Sequence, residues 1–123
     1  MSVAGVGIDA VEVDRFRKVL ARTPGVARRL FTDAERAYGD RAKDPAPRLA
    51  ARFAAKEATM KALGVGLGAF KFHDVEVIRA PSGKPSLRLT GAAAELASAN
   101  AVTDMHLSIT HTERTAEAVV IAT

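Results

Sequence analysis

This sequence predicts an α+β domain with a mainly antiparallel sheet packed on helices. Three observations carry the prediction. Helical periodicity dominates residues 48–63, strand-like alternation recurs after residue 74, and a glycine-broken apolar run opens the chain. The 123 residues form one expected domain, 1–123, long enough to bury a core.

The elements follow in order. Val3 to Ile8 reads as a buried strand whose Gly5 and Gly7 permit close backbone approach, with Asp9 at its end. From Val11 the pattern turns helical, with Phe16, Val19 and Leu20 on one side, until Pro24-Gly25 interrupts it. Thr32-Asp33-Ala34-Glu35 has the form of a capping box, so a helix begins near Asp33. Gly39 to Pro47 is a polar, proline-bearing connection. The long helix then runs from about Arg48 to Leu63 and stops at Gly64. A glycine-rich exit, Val65 to Gly68, is expected to be mobile. Val75, Val77 and Ile78 form a strand, Pro81 to Pro85 a turn, and Leu87 and Leu89 one face of the return strand. Gly91 to Asn100 is helical, and Met105 to Thr110 and Ala116 to Ala122 are two further strands around a polar turn.

Composition narrows the function. There are no cysteines, so disulfides and thiolate metal sites are excluded, which suits the cytoplasm. No segment approaches the roughly 20 apolar residues of a membrane span, and the N-terminus has no signal-peptide pattern. The net charge of +4 calls for an anionic partner. Five Phe and one Tyr leave few stacking platforms for nucleic acid, and no RNP-like or zinc-finger pattern is present. On charge alone, a non-catalytic basic module for RNA or an acidic protein competes with an enzyme. That reading leaves the acidic residues beside apolar faces without a purpose.

Those residues centre on the long helix. With Phe53 at zero, Met60 falls near −20° and Leu49 near −40°, which marks the buried stripe, while Glu57 falls near +40° and Lys61 near +80°, all roughly. A carboxylate at the edge of an apolar face, with an ammonium one turn on, is costly unless it is used. The plain alternative is a helix-stabilising i,i+4 pair. The chemical alternative is a divalent cation with a phosphate. Asp9 is equally double: a helix cap, or, paired in space with Glu57, half of a Mg²⁺ site. His111, at a strand-turn junction, is either a turn residue or a phosphate or base contact. His73 and His106 have no zinc-like spacing.

Taken together, the motifs resemble one family. Gly7-Ile8-Asp9-Ala10-Val11-Glu12-Val13-Asp14-Arg15 is similar to the opening of the holo-acyl-carrier-protein synthases, and Phe31-Thr32-Asp33-Ala34-Glu35 to the step that follows. Arg52-Phe53-Ala54-Ala55-Lys56-Glu57-Ala58, with Lys61-Ala62-Leu63-Gly64, resembles their long-helix signature. Gly83-Lys84-Pro85 and Leu107-Ser108-Ile109-Thr110-His111 resemble their turn and late strand. The five motifs keep the family order across nearly the whole chain. The length is that of the small stand-alone type, and Met1 with no linker-like ends argues against a piece of a larger synthase.

The resemblance implies the 4′-phosphopantetheinyl transferase fold and its reaction. Mg²⁺-dependent transfer moves 4′-phosphopantetheine from coenzyme A to a serine of apo-acyl carrier protein and releases adenosine 3′,5′-bisphosphate. The carrier belongs to fatty acid synthesis, with polyketide synthesis left open. A homotrimer with active sites between subunits is implied too. Asp9 and Glu57 match the metal ligands, and Lys61 the pyrophosphate-contacting lysine. Arg52 and His111 match positions near the adenosine 3′-phosphate, and Gly64 and Pro85 join the cofactor contacts. Arg15 and, by position, Arg22 resemble the basic helix that receives the acidic carrier. The acceptor of the serine proton stays open between Glu57 and a metal-bound water. The turn Thr112-Glu113-Arg114 departs from the pattern, and Gly39 to Pro47 matches no motif and is assigned no cofactor contact.

Overall fold

The structure, a computed structural model, describes residues 2–123. In chain order it contains β1 (Gly5–Glu12), α1 (Val13–Arg22), α2 (Val26–Leu30), α3 (Asp33–Asp40), α4 (Ala46–Ala62), β2 (Val75–Arg79), β3 (Pro85–Leu89), α5 (Gly91–Ala99), β4 (Met105–His111) and β5 (Thr115–Ala122). A short 3₁₀ turn, Phe72–Asp74, leads into β2. The α+β expectation holds, and every ladder is antiparallel. The strands divide into a three-stranded sheet, in the order β1-β5-β4, and the separate β2-β3 hairpin.

Local codes end the elements as expected. Thr32 and Glu35 form the reciprocal capping box that opens α3. At the other end of α4, Gly64 is left-handed at φ 74°. Its amide donates to Lys61 O at 3.1 Å and that of Val65 donates to Met60 O at 2.9 Å, which is a Schellman closure. Helix α4 begins two residues earlier than expected, because Pro47 sits in its first turn, where no amide is needed.

Three expectations are corrected. Asp9 does not end the first strand and caps nothing. β1 continues to Glu12, each residue paired to β5 from Gly5↔Ala122 to Glu12↔Thr115, so α1 starts at Val13 rather than Val11. Residues 26–30, after Pro24-Gly25, form the unanticipated one-turn helix α2. The buried stripe on α4 is also wider than its apolar periodicity indicates. Leu49 and Met60 are buried but Phe53 only half so, while Ala50, Ala54, Ala55, Ala58, Lys56 and Thr59 are all 0% exposed.

Helix α4 is central because alanines let strands approach it. Gly5, Gly7, Asp9 and Val11 of β1 and Ala116, Ala118, Val120 and Ala122 of β5 turn toward it. The β1 glycines are required. A Cβ on Gly5 would lie 1.8 Å from Ala62 O, and one on Gly7 1.8 Å from Ala58 O. The helices cover only this face. On the other, Val6 and Ile8 stand 58% and 65% exposed beside the half-buried Val119 and Ile121.

Candidate active site

Close packing of β1 on α4 brings Asp9 to the helix edge that carries Glu57 and Lys61. Lys61 Nζ donates to Asp9 Oδ1 at 3.1 Å and to Ile8 O at 2.9 Å. The i,i+4 pair is therefore not what Lys61 forms: it crosses to the strand, and Glu57 has no ion-pair partner among the described residues. Burial, and then the negative charge of Asp9, push the Glu57 carboxyl above its ordinary pKa, and Lys61 opposes them. Two carboxylates held together with one ammonium between strand and helix form a small centre of concentrated charge.

A cavity of about 560 Å³ opens beside them. Asp9, Glu12, Arg15 and Glu57 supply its polar wall; Phe16, Val19, Phe53, Leu67 and Phe72 supply much of the apolar one. The ring of Phe53 lies 5.3 Å from that of Phe16 and stacks 5.7 Å from that of Phe72, so the half-buried aromatic of α4 is cavity wall rather than core. Arg15 is exposed at this mouth, near Glu12. Arg22, in the last turn of α1, is exposed and lies outside the cavity lining.

Arg52 is elsewhere. Five residues before Glu57 on α4, it points roughly 140° away and lines a second cavity of about 340 Å³ with Tyr38, Arg41, Arg79 and Arg88. The two cavities share no lining residue. Arg52 is 7% exposed, and its Nε has no hydrogen-bond partner among the described residues. Burial is the main cause that lowers its pKa, with the charges of Arg48 and Arg79 acting the same way. Pro85 belongs to this side: it pairs with Arg79 across the hairpin, and the Arg79 guanidinium reaches to 3.4 Å of where a Cβ on Gly83 would be. His111 is exposed at the end of β4 and lines neither cavity. In the turn beyond it, Thr112 Oγ1 accepts from the amides of Arg114 and Thr115, and Glu113 is exposed.

Sequence reasoning missed what separates the cavities. Lys56, fully buried, donates to Glu35 at 2.8 Å, to Phe72 O at 2.9 Å and to Val75 O at 2.6 Å. Burial lowers its pKa and Glu35 draws it back up. The other Glu35 oxygen accepts from Val77 N at 2.8 Å. Glu35 lines the arginine cavity and Phe72 the carboxylate cavity, so this buried pair is a strut between them. Tyr38, Arg41, Arg48 and Arg79 were also unassigned. The one available signal was the i,i+4 spacing of Arg48 and Arg52, which puts them on one side of α4.

An antiparallel sheet with helices on one face thus carries a paired-carboxylate edge and an arginine-lined cavity. The chain fits the family model of the 4′-phosphopantetheinyl transferase superfamily over residues 5–119. It is 50% identical to the holo-[acyl-carrier-protein] synthase of Frankia alni, over 99% of this chain and 98% of that one. The crystal structure of the Neisseria meningitidis holo-[acyl-carrier-protein] synthase is similar with a TM-score of 0.88 and 31% identity, covering 99% of both chains. That of Bacillus anthracis, in complex with CoA (3′,5′-ADP), is similar with a TM-score of 0.82 and 34% identity, covering 98% of this chain and 96% of that one. The chain therefore belongs to the 4′-phosphopantetheinyl transferase superfamily and, within it, to the holo-[acyl-carrier-protein] synthases, which makes it a transferase acting on acyl carrier protein.

Proposed function

We infer that this chain carries out Mg²⁺-dependent transfer of 4′-phosphopantetheine from coenzyme A to a serine of an acidic apo-acyl carrier protein, releasing adenosine 3′,5′-bisphosphate. Its carrier belongs to cytoplasmic fatty acid synthesis. The observation that carries the reading is the Asp9–Glu57–Lys61 centre: two carboxylates forced together and bridged on one side by an ammonium.

The donor set fits the metal. Mg²⁺ takes hard oxygen ligands and is usually held by one or two carboxylates. Asp9 and Glu57 offer both, and the burial and the repulsion from Asp9 that raise Glu57 are what a cation relieves. Bound there with the cofactor, Mg²⁺ supplies charge neutralisation at the pyrophosphate. Lys61 places a second positive charge where the leaving bisphosphate gains negative charge. The serine oxygen forms the new bond to phosphorus as the bond to the leaving phosphate breaks, and the hydroxyl proton passes to the Glu57 carboxylate or to water. The cavity beside the carboxylates orients the carrier: Arg15 faces its acidic surface, and the Phe16, Phe53 and Phe72 wall takes apolar side chains near the serine. Arg22 extends the basic surface of α1.

The cofactor needs both cavities. Lys61, beside the cation that Asp9 and Glu57 would hold, serves the pyrophosphate, while Arg52, with Arg41, Arg48 and Arg79 around it, serves the 3′-phosphate and Pro85 the adenosine. Gly64 ends α4 one residue beyond Leu63, leaving backbone beside Lys61 open. Because one chain keeps these groups in separate cavities, a second copy must bring its Arg52 side to the first copy's Glu57. His111 joins from the partner side. The exposed Val6 and Ile8 face supplies a surface for such packing, and a closed trimer covers it in every copy.

Mass spectrometry tests the reaction. Apo-carrier protein incubated with this protein, coenzyme A and Mg²⁺ gains one phosphopantetheine, and the gain disappears with a chelator. Carrier left unmodified by folded protein would sink the activity. Mixing Glu57→Gln with Arg52→Ala subunits tests the shared site: mixed oligomers recover transfer that neither variant has alone. A fully active monomer in light scattering on dilution ends the trimer.

A further inference from the structure

Four guanidinium groups converge on one aromatic ring. The Cζ atoms of Arg52, Arg48, Arg79 and Arg41 lie 4.1, 4.3, 5.5 and 6.0 Å from the centroid of Tyr38. They come from α4, from β2 and from the segment after α3. None of the four has an ion-pair partner among the described residues. The carboxylates that line the same cavity are committed: Glu35 to Lys56 and to backbone amides, Glu76 to Thr32 Oγ1 and Arg88. Four like charges therefore share a small space, and the one carboxylate whose charge reaches Arg52, that of Glu35, is already paired with Lys56.

The face of an aromatic ring attracts a cation through its quadrupole. Tyr38 is placed to use this because α3 presses hard on α4. Its neighbour Gly39 is buried, and a Cβ there would lie 2.9 Å from Leu49 Cδ2. Arg48 Nη1 also donates to Tyr38 O at 2.9 Å, so the ring and the arginines are tied through backbone as well.

We propose that Tyr38 is the positioning residue of the phosphate cavity: its ring gathers Arg41, Arg48, Arg52 and Arg79 into one convergent cation, and so makes the protein select a 3′-phosphorylated adenosine ligand over its 3′-dephospho counterpart. This rests on the reading of the Arg52 cavity as the 3′-phosphate subsite. Without the ring, long arginine side chains splay to reduce their repulsion, and binding must order them again. With it, the charge is gathered before the ligand arrives. The attraction belongs to the ring face, so the phenol oxygen is dispensable.

The test is calorimetric and needs neither metal nor turnover. Adenosine 3′,5′-bisphosphate and adenosine 5′-monophosphate are titrated into the oligomeric protein, into Arg52→Met, into Tyr38→Phe, and into proteins with phenylalanine carrying one, two or three ring fluorines at position 38. Fluorination drains the ring face while nearly keeping its shape, so a purely structural role would not follow it. The expected result is a bisphosphate affinity that Tyr38→Phe keeps and that falls stepwise with fluorine number, by about fivefold for three fluorines. Monophosphate affinity stays flat, and Arg52→Met loses the preference between the two ligands. If Arg52→Met loses that preference but fluorination leaves it unchanged, the platform is overturned and the phosphate subsite stands. Loss already in Tyr38→Phe assigns the role to the hydroxyl and also overturns the platform. If the parent protein shows no preference, or Arg52→Met retains it, the subsite reading fails and the platform with it.

Discussion

Replacing Gly7 by alanine adds one methyl group where β1 crosses α4, and the structure fixes what that methyl meets. It lies 1.8 Å from Ala58 O and 2.8 Å from Ala62 N. An ordinary carbon–oxygen contact is about 3.3 Å, so strand and helix must separate by about 1.5 Å at that point. Both obstacles are backbone, so no rotamer change relieves them. Overpacking of a core costs about 1–3 kcal/mol when side chains can adjust, and a backbone clash belongs at about 3 kcal/mol or above. With a urea m-value of about 2 kcal/mol/M, the unfolding midpoint falls by about 1.5 M. The same movement opens the 3.1 Å contact between Asp9 and Lys61, two residues along the strand, and draws Asp9 away from Glu57. A displacement of about 1 Å in a reacting geometry costs about a hundredfold in rate. Transfer to carrier protein, assayed on the folded fraction, should drop by that order. Gly66→Ala is the control: a Cβ there has none of the described residues within 4 Å, and the variant should match the parent. A Gly7→Ala protein within about 0.5 kcal/mol of the parent, the usual range for inconsequential substitutions, with normal transfer, would refute the view that this crossing positions the site.

Other expectations concern the charged residues. Glu57→Gln should cut transfer at least about a hundredfold, on the order of 3 kcal/mol of barrier, and near-normal transfer at saturating Mg²⁺ would remove Glu57 from the metal site. Because the fold raises the Glu57 pKa, its ionised form costs stability at neutral pH. Metal-free Glu57→Gln should therefore melt no lower than the parent, with the difference closing as pH falls through the Glu57 pKa; a lower melting temperature for the variant at neutral pH contradicts this sign. Lys56→Met strands the buried Glu35 carboxylate and should cost about 3–5 kcal/mol, and adding Glu35→Gln should cost less than the separate effects combined. Strict additivity in that double-mutant cycle would mean the strut is not coupled. Arg15→Glu should raise the KM for carrier protein, leave that for coenzyme A nearly constant and weaken the salt dependence of kcat/KM, since steering is screened over about 10 Å at 0.1 M salt. A changed coenzyme A KM with an unchanged carrier KM points Arg15 elsewhere.

Much of this molecule is written locally. Thr32 and Glu35 announce a helix start, Gly64 a helix end and Gly83 a hairpin, because each solves a backbone problem within a few residues of itself. Gly5 and Gly7 mark a close approach even before its partner is known. The Asp9, Glu57 and Lys61 motifs were readable for the same reason: short spacings carry them.

Only the folded chain decides what depends on distant partners. β5 carries β1 past Asp9 to Glu12 and so makes Asp9 a strand residue rather than a cap, a pairing of residues more than a hundred positions apart. Phe53 is only half-buried and Lys56 fully buried because strands and helices surround α4 on nearly every side, and a helical period reports one apolar face but not how many neighbours will cover the rest. The buried ammonium is tolerated only because Glu35 and two carbonyls from other elements meet it. Arg52 and Glu57, five residues apart, end in different cavities because a helix turns about 140° between them. Spacing by itself determines that the two diverge; what each then faces, four guanidiniums around Tyr38 or two carboxylates beside an aromatic wall, is fixed by tertiary packing.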